Sequence, residues 1–185
     1  RWVSVHPLPA FENMTLRDAF WGAKQVMSFS DAQIAAIVKT GELSDPAAEE
    51  YLTKVLVERR DKIGNYWFSR INPIDKFESE ITKDFLLLSF MDLGIKGKLF
   101  DPQHTQYQYS AWVEGGKPIA KNQVTTRQEI KVSLTDRVKP DRDPMVIGFE
   151  IITKRKHRSV SETKVQIYVA LEKNGPRVVG IKREE

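Results

Sequence analysis

The stretch Gln106-Tyr107-Gln108-Tyr109-Ser110-Ala111-Trp112-Val113, followed by Gly115-Gly116, decides the fold. Tyr107, Tyr109, Ala111 and Val113 alternate with Gln106, Gln108 and Ser110. That period of two belongs to a strand with one face buried, and the glycine pair supplies the turn that ends it. The same period recurs downstream. Ile130, Val132 and Leu134 alternate with Glu129, Lys131 and Ser133; Met145, Ile147, Phe149 and Ile151 line one face of the next strand. Val165, Ile167, Val169 and Leu171 line another, and Asn174-Gly175 makes a turn before Val179 and Ile181. With Phe85 to Phe90 this gives six or so strands, which points to an antiparallel sandwich of immunoglobulin or fibronectin type III character. The chain contains no cysteine, so the disulfide of true immunoglobulin domains is excluded.

Upstream the period becomes helical. Thr15 with Asp18 forms a capping arrangement before Leu16, Phe20, Ala23 and Met27. Ser30 with Gln33 is a capping box that opens Ile34, Ile37 and Val38, and Gly41 closes that helix. Asp45-Pro46 repeats the start signal. The third helix carries Leu52, Val55, Leu56, Ile63, Tyr66, Trp67 and Ile71 on one stripe, and Asn72-Pro73 ends it. The expected fold is therefore α+β: an N-terminal helical subdomain of about three helices (1–76) docked on an antiparallel β-sandwich (77–185). The charged segment from Asp75 to Lys83 reads as a short connector between them.

Composition narrows the function classes. At 185 residues, 41% hydrophobic and 29% charged, the chain can bury a core and is not of disordered composition. No apolar run approaches the roughly 20 residues of a membrane-spanning helix. Without cysteine there is no thiolate metal site and no cysteine nucleophile. The net charge of +4 is carried by the second part, because residues 1 to 76 hold ten basic and ten acidic side chains. The densest cationic run is Lys154-Arg155-Lys156-His157-Arg158. It is a candidate polyanion-binding loop, although a solvated loop tip or a charged guard against edge pairing accounts for it more simply.

The remaining constellations favour structural roles. His6, His104 and His157 lie far apart, and no His-Glu-x-x-His or calcium-loop spacing occurs. There is no Gly-x-Ser-x-Gly elbow. Gly94-Ile95-Lys96-Gly97-Lys98 lacks the spacing of a phosphate loop. Asn13-Met14-Thr15 matches a glycosylation sequon, but Thr15 is already required as a cap. Asp75, Glu78, Glu80 and Asp84 form the densest acidic group, the starting point for an alternative hydrolase reading with a spatially assembled carboxylate site. Tyr66-Trp67-Phe68 cannot all lie on one narrow helical stripe, so they are a candidate partner-binding patch as well as core. Arg59-Arg60 reads as an ion-pairing or anion-binding pair. No catalytic residue, cofactor-binding residue or metal ligand is assigned.

The runs Asp18-Ala19-Phe20-Trp21-Gly22-Ala23-Lys24, Val26-Met27-Ser28-Phe29, Ser44-Asp45-Pro46-Ala47, Arg59-Arg60-Asp61-Lys62-Ile63-Gly64 and Asn72-Pro73-Ile74-Asp75 carry a resemblance. Over about residues 9 to 80 the chain is similar to the C-terminal region of large uncharacterised bacterial proteins. The resemblance implies a bacterial, exported protein of which this is one part, and it supplies no activity and no catalytic residues. The absence of an initiator methionine and of a targeting signal leads to the same expectation of a mature form or excised fragment. The expected function is a non-catalytic accessory or interaction module, with the rest of its parent protein or another protein as partner and an exported or periplasmic location.

Overall fold

The computed structural model describes residues 8–115, 117–134, 145–156 and 163–183. His157 and Arg158 of the basic run lie outside the described residues. The chain forms two compact units that part between Trp67 and Phe68.

The first unit is helical. A short helix α1 (Pro9–Glu12) precedes α2 (Leu16–Met27), α3 (Asp31–Lys39) and α4 (Pro46–Phe68), whose last residue belongs to the second unit. The helix starts follow from local chemistry. Thr15 Oγ1 accepts from the Asp18 amide at 3.2 Å, and the Asp18 carboxylate accepts from the Thr15 amide at 3.1 Å. Ser30 and Gln33 repeat this reciprocal box at the start of α3. The Asp45 carboxylate accepts from the Ala47 amide at 2.9 Å. Each box satisfies amides that the first helical turn leaves without an intrahelical partner. Hydrogen bonds from Thr15 hold the Asp18 carboxyl below its ordinary pKa.

The apolar stripe expected on the third helix is only partly covered. Val55, Leu56 and Trp67 are half-buried, whereas Leu52, Ile63 and Tyr66 are exposed. The helix stops at Phe68 rather than at Asn72, and Ile71 is buried in the segment that follows.

The second unit holds eight strands among the described residues, in two antiparallel sheets. They are β1 (Ile74–Thr82), β2 (Phe85–Asp92), β3 (Thr105–Val113), β4 (Lys117–Thr125), β5 (Glu129–Ser133), β6 (Met145–Arg155), β7 (Lys164–Glu172) and β8 (Gly175–Arg183). A one-turn helix α5 (Leu93–Lys96) and a 3-10 turn (Pro102–His104) join β2 to β3. The smaller sheet has the order β1-β2-β5 and the larger β4-β3-β6-β7-β8. Leu86, Leu88, Phe90, Ile130 and Val132 from one sheet meet Tyr107, Ile147, Phe149, Ile151, Val165, Ile167 and Val169 from the other. Fully burying side chains of this size contributes about 1.5–3 kcal/mol each.

Two strands depart from the sequence expectation. The segment from Asp75 to Lys83 is not a connector: its residues to Thr82 belong to β1, which pairs with β2 through a bulge between Asp75 and Glu78. Lys117 to Thr125, a segment beyond the expected Gly115-Gly116 turn that was not read as a strand, is β4. Both are edge strands. Charge, proline and irregular register protect an open edge from pairing, and they also erase the clean alternation by which a strand is read. The expected boundary between residues 76 and 77 therefore falls inside β1. Arg183 on β8 donates to the carbonyls of Asn72 and Ile74 at 2.9 and 2.7 Å and reaches the Asp75 carboxylate at 3.3 Å, tying β8 to the start of β1.

Candidate functional site

The basic run does not emerge as one cationic loop. β6 continues through Arg155, and strand alternation turns Thr153 and Arg155 inward while Lys154 and Lys156 are exposed. The Arg155 side chain is 3% exposed and that of Asp92 is fully buried. Arg155 Nη2 bonds both Asp92 oxygens at 3.0 and 2.8 Å, Nη1 donates to Thr105 Oγ1 at 2.9 Å, and the guanidinium lies 4.1 Å from the Phe100 ring centroid. Within the described part of the run, only Lys154 and Lys156 remain at the surface.

Asp92 organises this interior cluster. It ends β2 and caps α5, accepting from the amides of Gly94 and Ile95 at 2.9 and 3.2 Å, and Tyr107 Oη donates to its second oxygen at 3.0 Å. Gly94 is required there, because a Cβ would lie 2.2 Å from the Phe100 ring. Burial, and then the Asp92 charge, push the Tyr107 hydroxyl well above the ordinary tyrosine range. Asp92 is thus supplied with donors from four residues in a space closed to solvent. The arrangement anchors the β2–α5 junction to β3 and β6. A second buried group, Asn72, donates to the carbonyls of Ile151 and Thr163 at 3.2 and 3.1 Å and accepts from Thr153 Oγ1 at 2.8 Å.

The aromatic triplet is divided as well. Tyr66 is exposed, Trp67 is half-buried, and their rings meet edge to face at 4.9 Å. Phe68 is completely buried and contributes nothing to an outer patch. Of the arginine pair, Arg60 reaches Asp31 at 2.7 Å, Asp61 at 2.8 Å and the Phe29 carbonyl at 2.8 Å, joining α4 to the start of α3. Burial works against its charge, but the hydrogen bonds it donates to Asp61 and Asp31 outweigh this and raise its pKa.

The acidic residues around β1 do not converge. Asp75 is held by Arg183, Glu78 and Glu80 lie exposed two residues apart along the strand, and Asp84 is in the following turn. A groove of about 550 Å³ between α3 and α4 is lined by Asp31, Glu49, Glu50, Lys54 and Glu58 among others. Among the described residues no three His, Asp or Glu side chains are grouped to hold a metal ion, and no helix is long and apolar enough to cross a membrane.

The surface that sequence reading missed is the outer face of the larger sheet. Trp112, Gly148, Tyr168 and Gly180 pair directly in one row across β3, β6, β7 and β8. A Cβ on Gly148 would lie 2.4 Å from the Trp112 indole, so this tryptophan rests against the backbone of β6. A Cβ on Gly180 would meet the Tyr168 ring at 3.4 Å. The neighbouring row is Ser110, Glu150, Gln166 and Lys182. Its two central members are linked to each other and to flanking residues: Tyr168 Oη donates to Gln166 Oε1 at 3.1 Å, Gln166 Nε2 donates to Glu150 Oε2 at 3.4 Å, and Lys164 Nζ lies 3.4 Å from Glu150 Oε1. Trp112 was invisible as a site residue because its position matters only in register with two glycines 36 and 68 residues away. The available signal was its place on the polar side of an alternating strand. No family model, no curated protein and no solved structure matches the chain.

Proposed function

We propose that the chain is a non-catalytic interaction module of a larger bacterial protein, built on a β-sandwich of immunoglobulin or fibronectin type III-like character and acting through the outer face of its larger sheet. The observation that carries this reading is the row of Trp112 and Tyr168 laid over glycines, bordered by linked polar side chains. Large aromatics bring contact area at little conformational cost, and an adjacent polar row fixes orientation. The titratable groups of the Asp92 cluster are already committed to one another inside the fold.

Hydroxyl-radical footprinting tests the proposal. Trp112 and Tyr168 are expected to react less in the cell, where the partner is present, than in the purified chain. Equal reactivity in both settings would sink it. So would turnover of glycoside or ester substrates that disappears when Asp75, Glu78, Glu80 and Asp84 are replaced by their amides.

A further inference from the structure

We infer a second binding surface at the end of the sheet unit where β2, β4 and β6 finish and β3 and β5 begin, and assign it to an acidic polysaccharide. Hydrogen bonds gather these ends. Arg155 and Asp92 join the end of β6 to the end of β2, the Phe90 amide donates to the Gln128 carbonyl at 3.1 Å, and the Lys156 amide donates to the His104 carbonyl at 2.9 Å. The tips so assembled carry Lys96 and Lys98 between β2 and β3, Arg127 between β4 and β5, and Lys154 and Lys156 at the end of β6. All five are exposed, and none is ion-paired with a described residue. Lys154 stands opposite Gln106 on β3 and Thr125 opposite Tyr107, so Arg127 lies roughly 10 Å from β6, two interstrand spacings away. Asp101 is the single carboxylate in the described part of these connections, and His104 Nδ1 is 3.0 Å from it. Elsewhere in the unit cations have carboxylates beside them: Lys164 has Glu150, Arg177 has Glu172 and Arg183 has Asp75. The surface is separate from the Trp112 row, because Lys154 is roughly 20 Å along β6 from Gly148.

The backbone supports a binding role for these charges. Lys98 has φ +56, a left-handed conformation that glycine adopts without steric cost and lysine does not. The turn stays wound because the Gly97 and Lys98 amides donate to the carbonyls of Leu93 and Ile95, each at 2.9 Å. Phe100 rests on Arg155, which fixes the connection to the buried pair. Like charges gathered at one end repel one another, and a polyanion relieves that repulsion while releasing its own counterions. The neighbours select the kind of polyanion. No Phe, Tyr or Trp ring is exposed among the described residues of this end, since Phe100 and Tyr107 are buried, so nucleic-acid bases would find nothing to stack on. The cations ride on tight turns and a strand end, none of which projects as a helix or ribbon to enter a groove. Exposed Gln103, Gln106 and Thr126 stand among them and offer amides and a hydroxyl to sugar hydroxyls.

Affinity electrophoresis of the purified chain in gels containing polygalacturonate or heparin tests the assignment, with dextran as the neutral polymer and single- and double-stranded DNA as the nucleic-acid comparison. Wild type is expected to be retained by at least one acidic polysaccharide and not by dextran, with affinity falling at least tenfold between about 50 and about 200 mM salt. Lys98→Gly and Lys156→Gln should each weaken retention about three- to tenfold. Lys83, in the β1–β2 turn at the opposite end, also has a positive φ of 55. Lys83→Gly therefore removes the same charge from the same backbone conformation and should leave retention unchanged. Thermal unfolding should find both glycine variants as stable as wild type, because relief of the left-handed conformation offsets the added freedom of the unfolded chain. The assignment is overturned if neither acidic polysaccharide retains wild type, if retention ignores salt, or if Lys98→Gly and Lys156→Gln are retained unchanged. It also fails if Lys83→Gly weakens retention as much as Lys98→Gly, which would make net charge the cause. Tighter binding to either DNA than to both polysaccharides at one ionic strength would overturn the polysaccharide in favour of nucleic acid.

Discussion

The helical unit and the sheet unit of this chain solve the same problem with opposite means. Between α1 and α4 order comes from near neighbours: Thr15 with Asp18, Ser30 with Gln33, Asp45 with Ala47. Large apolar side chains such as Trp21, Ile37, Tyr51 and Tyr66 remain exposed there. In the sheet unit the decisive contacts join distant residues, as when Arg155 meets Asp92 or Asn72 meets Thr153, and the central side chains are completely buried. The difference is clearest in two arginines. Arg60 bridges two helices with Asp31 74% exposed, whereas Arg155 and Asp92 are both withdrawn from water. A bridge with a solvated partner contributes little, while a buried pair becomes costly when one member is taken away.

Arg155→Ala should therefore produce the largest effect. It leaves Asp92 buried without its counter-charge, and the sheet unit should lose about 3–5 kcal/mol in denaturant unfolding. A loss below about 1 kcal/mol would mean that the contrast between the two arginines has no energetic content. The next effect is alkaline. The folded state holds the Tyr107 proton more tightly than the unfolded chain does, so its contribution is fully present below the ordinary tyrosine pKa of about 10. Above that pH, stability should fall by about 1.4 kcal/mol per pH unit, and ultraviolet titration should find one tyrosine that ionises only on unfolding. Reversible titration of all tyrosines in the folded protein would count against a closed Asp92 cluster.

Local substitutions should stay smaller. Ser30→Ala removes one capping oxygen, and a loss of about 1 kcal/mol in the helical unit is expected, with the unfolding of the sheet unit unchanged. A shift of both would show that the units melt together. Arg60→Ala should cost less than about 1 kcal/mol, and added salt should reduce the cost further. If Arg60→Ala approached Arg155→Ala, exposure would not be what separates them.

How much of this was legible follows the same division. The caps at Thr15, Ser30 and Asp45 were readable because donor and acceptor lie within three residues of one another. Five strands were readable from their alternation and β2 from its apolar run, Phe85 to Phe90. β1 and β4 were not: charged residues and a bulge in β1, and proline and register shifts in β4, interrupt the pattern, whereas the other two edge strands, β5 and β8, keep enough of theirs to be read. The run from Lys154 to Arg158 looked uniform as a string of cations, yet a strand places successive residues on opposite faces. Only the extent of β6 decided that Arg155 faces inward. Nothing in the vicinity of Asp92 announces Arg155, which lies 63 residues away.

By itself, then, the sequence determined the periods, the helix starts and the two-part composition, because propensity and capping act over three or four residues. Tertiary structure decided the edge strands, the buried Asp92–Arg155 pair and the row that aligns Trp112 with Gly148, Tyr168 and Gly180. Those features depend on register, and a slip of one residue along a strand moves every side chain to the other face of its sheet.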